Sequence, residues 1–224
     1  MSAQALEAAT AHARAFGTPG QLTPRGLRDL LGEPAWQRLP AAVRERFGDP
    51  SRTVDYVGRF DIVRANLAGR ALAWLCQLLG TPVVPRTGRD VPAIVHVSPS
   101  GRGVDWTREY CWPEPPPSLV RSTKVIAPDG SLVEELPAHL CMQLAVHEAA
   151  GALHFISRCY YFSLPIPLRR DRLKLFLPRW LSPGTVHVEH RDEAGGWFRF
   201  TMTVTHPMLG ELFYQTGRFH AQGD

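Results

Sequence analysis

Cysteine is scarce and never paired along the chain: Cys76, Cys111, Cys141 and Cys159 stand 18 to 35 residues apart, with no C-x-x-C. That spacing fits neither a zinc site nor a redox pair, so the thiols read as buried and reduced. Long apolar runs are missing too. The longest, 71–79, is less than half of the ~20 residues that a transmembrane helix needs. The Ala-rich first sixteen residues carry Glu7, His12 and Arg14 where a secretory signal keeps an unbroken apolar stretch. A soluble, cytoplasmic protein is expected. Charge of one sign is also weak, with 25 Lys and Arg against 21 Asp and Glu in 224 residues and no run of five basic side chains, so nucleic acid is not an expected partner. G-x-S-x-G, H-E-x-x-H, a P-loop and a G-x-G-x-x-G between strand and helix are all absent. Their absence argues against nucleophile-elbow hydrolysis, zinc proteolysis, NTP turnover and a dinucleotide site. No metal and no cofactor are expected.

What is present changes period along the chain. Residues 1–26 read as a helical extension, broken by Gly17 to Gly20. From 27 onward a single α+β domain reaches residue 220. Its first part is helical: Leu27, Leu30, Leu31, then Trp36, Leu39, Val43 and Phe47 recur at three- and four-residue spacing, interrupted by Pro34 and Pro40. Residues 53–63 predict a strand and 67–79 a helix, with Leu67, Ala71, Trp74, Leu75, Leu78 and Leu79 on one face; 81–91 reads as a loop. After that the period is two. Segments 93–98, 103–112, 118–126, 131–135, 140–147, 152–162, 185–191, 196–205 and 210–220 predict strands, most of them separated by short turns such as Pro128-Asp129-Gly130. Short connections join antiparallel neighbours, giving a meander of about eight or nine strands. So many strands in one open sheet would leave long edges bare, so a strongly curved antiparallel sheet, a barrel or half-barrel, is expected, gripped by N-terminal helices and the helix after the first strand. Residues 163–183 interrupt the meander. Their basic and apolar side chains predict a short amphipathic helix or a lid-like loop, and 169–181 is a candidate for peripheral contact with an anionic membrane.

Candidate functional residues come from the strand faces. In 196–205 the even set, Phe198, Phe200, Met202 and Val204, is plainly core. In 152–162 and 210–220 neither face is clean: His154, Arg158 and Gln215 fall among aromatic and aliphatic neighbours. Two readings stand for these mixed faces, the wall of a ligand cavity or strand ends and an outer surface. His187, Glu189 and His190 form the densest titratable cluster. His187 and Glu189 share a face and form the candidate acid/base pair, while His190 points the other way, and alternation denies this strand three converging metal ligands.

Several motifs carry a resemblance. Pro178-Arg179-Trp180-Leu181, Val186-x-Val188-x-His190, His206-Pro207-x-x-Gly210 and Leu212-Phe213-Tyr214-Gln215-x-Gly217-x-Phe219, with Leu30-Leu31-Gly32, Trp36, Leu39-Pro40, Val43-Arg44 and Trp106-x-Arg108 before them, resemble the bacterial domain-of-unknown-function family numbered 4166. The resemblance covers about 27–220. It implies no reaction; some members are joined to dehydrogenase-like NAD(P)-binding domains, which implies by analogy an oxidoreductase partner. Trp106, Arg108, Arg179 and Tyr214 lie inside these motifs and join His154 and Arg158 as candidate ligand-binding residues. The expected function is binding of an apolar small molecule, of lipid, polyketide or terpenoid type, within the curved sheet. The alternatives are a cofactor-free cyclase or isomerase using the same cavity, and an interaction module for an oxidoreductase.

Overall fold

A computed structural model describes residues 26–78, 83–166 and 172–223, the side chains of 76–78 excepted. The expected N-terminal extension, all but its last residue, and the side chain of Cys76 lie outside the described residues. Three short helices open the fold: α1 (Leu27–Leu31), α2 (Glu33–Arg38) and α3 (Ala41–Gly48). Gly32 separates the first two at φ 76°, and Pro40 starts the third, where a missing N–H costs nothing. Strand β1 (Val54–Ala65) follows, then α4 (Leu67–Leu78), and then β2 (Gly88–Pro99), β3 (Val104–Tyr110), β4 (Ser118–Ile126) and β5 (Leu132–Glu135). The chain ends with β6 (Leu140–Ala149), β7 (Ala152–Pro165), β8 (Arg172–Phe176), β9 (Thr185–Asp192), β10 (Trp197–His206) and β11 (Gly210–Ala221).

All pairings are antiparallel, and ten of the eleven strands close on themselves in the order β6-β5-β4-β3-β2-β1-β11-β10-β9-β7, with β7 returning to β6. The curved sheet of the sequence reading is therefore a closed barrel, with more strands than the eight or nine expected. The strand at 53–63 and the nine later segments make up the ten of the ring; the strand with no counterpart in the sequence reading is the eleventh, β8. Its residues 172–176, expected as helix or lid, instead pair with Tyr161 to Pro165, on the edge of β7 that β9 leaves free after Ile156. The alternation Arg172-Leu173-Lys174-Leu175 is that of a strand, and all five side chains are exposed. Strand β2 likewise starts at Gly88, inside the stretch expected as loop.

Inward-facing residues make the core. They include Phe60 on β1, Val91 to Val97 at alternate positions on β2, Phe155 on β7, Phe198 to Val204 at alternate positions on β10, and Phe219 on β11. Ion pairs decorate the outside, among them Arg199 with Asp61 and Glu193, and Arg64 with Glu211. The helices close the two ends. Helix α3 puts Phe47 into the mouth beside Trp106 and Phe155, with ring centroids 5.9 and 5.8 Å away. Helix α4 lies across the other end against β1 and β11. Among the described residues, no helix is long and apolar enough to cross a membrane.

The face of α4 that touches the barrel is not the one its leucines and tryptophan suggested. Leu67, Trp74 and Leu75 are exposed, while Ala73 is buried and Gly69 and Leu72 line the barrel interior. Gly69 is the cause. A Cβ there would collide with the backbone carbonyl of Leu212, so only glycine lets the helix lie this close. Asn66 secures the same contact: its side-chain carbonyl accepts from the Gly69 N–H at 2.7 Å, its amide donates to Leu209 O at 3.1 Å, and its N–H donates to Leu212 O at 3.2 Å. Helix propensity predicts that Gly69→Ala stabilises by about 1 kcal/mol, but overpacking against a backbone atom costs about 1–3 kcal/mol and outweighs it. Urea unfolding should therefore show a lowered midpoint for Gly69→Ala, whereas Gly101→Ala, at a hairpin tip with open space around it, leaves the midpoint nearly unchanged.

Candidate functional site

The barrel interior holds a cluster of charges among aromatic rings. The hairpin joining β4 to β5 pairs Lys124 directly with Glu134, and the β3–β4 register puts Trp106 beside Ser122, with Arg108 two residues further along the same face of β3. Lys124 Nζ donates to Glu134 Oε1 at 3.2 Å, and Arg108 Nη2 stands 3.8 Å from the same oxygen. The Arg108 and Glu134 side chains are each 8% exposed and that of Lys124 15%. Lys124 Nζ lies 5.0 Å from the centre of the Trp106 ring and 5.7 Å from that of Phe155, and the Arg108 guanidinium 5.7 Å from Phe200, so the rings supply part of the solvation that water would have given. His190, on β9, completes the group. Its ring is wrapped by Phe47, Phe200, Phe155 and Phe198 at centroid distances of 4.9 to 6.0 Å.

These residues surround an inner cavity of about 80 Å³. Its remaining wall is apolar, with Met142, Leu144, Val188, Met202 and Phe213 among the contributors, and Leu72, Val83 and Pro183 close it at the α4 end. An outer recess of about 520 Å³ lies at the α3 end, edged by Arg46, Phe47, Val97, Val104, Ile126 and Leu132. Trp106 and Lys124 line both spaces and so stand between them, with Phe47 on the recess side. The recess falls in the usual range of about 300–1,000 Å³ for small-molecule sites; the inner cavity alone does not.

Two of the expected ligand-binding residues, Trp106 and Arg108, face this interior. The other four do not. His154 points outward from β7, where its Nδ1 meets His187 Nε2 at 3.0 Å and its ring stacks on His147 with centroids 4.9 Å apart. Arg158 is exposed at the residue where the β6–β7 register shifts, Arg179 is exposed after β8, and Tyr214 lies on the outer face beneath the Arg64 guanidinium, 4.4 Å from its ring centre. The expected acid/base pair is also outside and not joined: Glu189 accepts from Arg191 at 2.7 Å while His187 turns to His154. Among the described residues no three His, Cys, Asp or Glu side chains are placed to hold a metal ion.

Sequence reasoning passed over Lys124, Glu134 and the inward role of His190. A signal existed. Residues 124 and 134 are equidistant from Asp129, so a hairpin turning at Pro128-Asp129-Gly130 pairs them, on the same face as Leu132 and Ile126.

The model of a domain of unknown function, DUF4166, matches residues 39–219. The chain belongs to that family. No curated protein and no solved structure matches it. The match runs from the end of α2 to β11 and so takes in every strand and the whole interior of this DUF4166 domain.

The electrostatics of the DUF4166 interior follow from two cations sharing one anion. Burial alone would raise the Glu134 carboxyl, but the attraction of Lys124 and Arg108 overrides it and its pKa is lowered. Lys124 sees one anion and one cation, so burial prevails and its pKa is lowered as well. His190 is pushed well below its ordinary 6.5, first by burial and then by the positive charges of Arg46, Lys124 and Arg108. A histidine neutral when folded and free to protonate when unfolded makes stability full above about pH 6.5 and progressively lower beneath it, by up to about 1.4 kcal/mol per pH unit. Urea unfolding of wild type between pH 7.5 and 5 should show this loss, and His190→Phe should flatten it; an equal slope in both would place the titration elsewhere.

Proposed function

We propose that this DUF4166 domain binds an apolar small molecule inside its barrel. The observation that supports it is an inner cavity walled mainly by aromatic and aliphatic side chains beside a larger recess at the α3 end, the two sharing Trp106 and Lys124, with buried polar groups left without partners on the inner wall. Among the described residues Trp106 Nε1 and His190 Nδ1 make no hydrogen bond, and both side chains line the inner cavity. An unsatisfied buried polar atom costs about 1–3 kcal/mol, so two at one cavity point to a guest that completes them. The ligand body belongs in the 520 Å³ recess, with one end reaching past Trp106 and Phe47. The enzymatic alternative relied on His187 and Glu189 sharing the cavity, and they do not line it.

Native mass spectrometry of freshly purified protein tests the reading, coupled to 1-anilinonaphthalene-8-sulfonate fluorescence. We expect a non-covalent adduct or saturable dye binding, weakened about tenfold or more by Trp106→Ala, since an aromatic anchor in a pocket carries binding energy of this order. Neither adduct nor dye binding would refute it.

A second observation bears on partners. Large exposed apolar side chains gather around the α4 end: Trp74 and Leu75 on α4, Met208 in the β10–β11 turn, Phe176 on β8, and Trp180 with Leu181 just after it. Arg172, Lys174 and Arg179 stand among the last group and are exposed. Apolar rings flanked by cations suit the headgroup region of an anionic bilayer, and we propose that this end rests on one. Co-sedimentation with vesicles should show binding that requires phosphatidylglycerol in a phosphatidylcholine background and falls severalfold in the Phe176→Ala, Trp180→Ala double variant, each cation near the surface contributing about 1 kcal/mol. Binding indifferent to both would overturn this reading.

A further inference from the structure

Resting on the reading of the barrel as a binding site, we propose that its ligand is a monoanionic amphiphile, an apolar body ending in a carboxylate or comparable acid, and that the anion sits at Lys124, Arg108 and Trp106. The interior charges do not balance. Lys124 and Arg108 bring two positive charges and Glu134 returns one, with the three groups within 3.8 Å contacts and their side chains 8 to 15% exposed. Leaving a net cation in an aromatic-lined interior is costly unless a partner arrives; a single negative charge closes the sum for these three groups, and Arg46 at the recess edge adds to the positive field that favours it.

The donors agree with the sign. Trp106 Nε1 can only donate, and among the described residues it has no acceptor. Lys124 has three N–H groups and Arg108 five, far more than the two oxygens of Glu134 can take. An oxygen anion accepts from several donors at once, whereas an amine would meet donors and cations only. Placement agrees as well. Lys124 and Trp106 line both the recess and the inner cavity, so an acid group held there leaves its hydrocarbon among Phe47, Val97, Val104 and Ile126. Glu134 faces the same point and repels an anion, but it is already engaged by Lys124.

The test is a matched set of ten-carbon probes, decanoate, decanol and decyltrimethylammonium, titrated calorimetrically into the full chain below their micellar concentrations. Decanoate should bind about tenfold or more tightly than decanol, and the ammonium should bind least, because a charge-assisted hydrogen bond is stronger than a neutral one. In Lys124→Met, where Arg108 and Glu134 balance, the acid and the alcohol should converge. In Glu134→Gln, which leaves both cations uncompensated, the preference for decanoate should widen. Decanol equalling decanoate in the wild type would overturn the inference while leaving an apolar site, and a preference unchanged in Lys124→Met would remove it from this cluster. Failure of all three probes would count against the cavity reading itself. The wild-type comparison needs no variant to fold.

Discussion

Closing ten strands into one barrel produces a bore that ordinary aliphatic side chains do not fill. Eight strands are the size at which inward side chains just meet, and the diameter grows with each strand added. This domain meets the problem with rings. Phe60 stacks on Tyr110 at 4.9 Å and packs edge-on to Phe200 and Phe219, and Tyr110 donates to Gln215 Oε1 at 2.9 Å, giving that buried amide oxygen its partner. At the α3 end the filling stops short, and a helix side chain, Phe47, stands in the gap.

The same geometry explains why charges are tolerated inside. A wide bore lets Lys124, Glu134 and Arg108 meet across three neighbouring strands without leaving the wall, and the faces of Trp106, Phe155 and Phe200 stand beside the cations. A buried ion pair is weak evidence for stability, since desolvation cancels much of the attraction. Three ions with one unit left over are weaker still. Such a cluster is better explained by the proposed binding role than by stability.

The turns were legible, and with them most strands and the curvature, because short connections admit only antiparallel neighbours. The family match was legible for a similar reason: its motifs sit at turns and inward positions that the barrel repeats. Faces were harder to read. The mixed pattern of 152–162 suggested a polar cavity wall, but its cause is a bulge. The β6–β7 register shifts at Arg158, so Leu153 and Phe155 face inward before it and Tyr160 after it, and parity counted back from Tyr160 puts Arg158 and His154 on the wrong side. Strand β11 repeats the effect, its register shifting between Glu211 and Phe213 so that Leu212 and Phe213 are both buried. A single extra residue exchanges the faces of everything beyond it, and composition does not announce where it falls. Strand β8 escaped for another reason: it pairs beyond the end of β9, outside the closed ring, and its basic, exposed residues lack the half-buried pattern that marks a strand.

Two titratable clusters invite comparison. On the outside His147, His154 and His187 form a row, and Glu189 holds Arg191, each group answered by a neighbour on the next strand or turn. That row is complete. Inside, an indole N–H and an imidazole nitrogen are buried without a partner among the described residues, and burial, aided by the nearby positive charges, lowers the pKa of His190. Polar networks in protein interiors normally saturate themselves, because each missing partner is expensive in a low dielectric. An interior network with unpartnered polar atoms and one positive charge in excess is the arrangement that the proposed anionic ligand would complete.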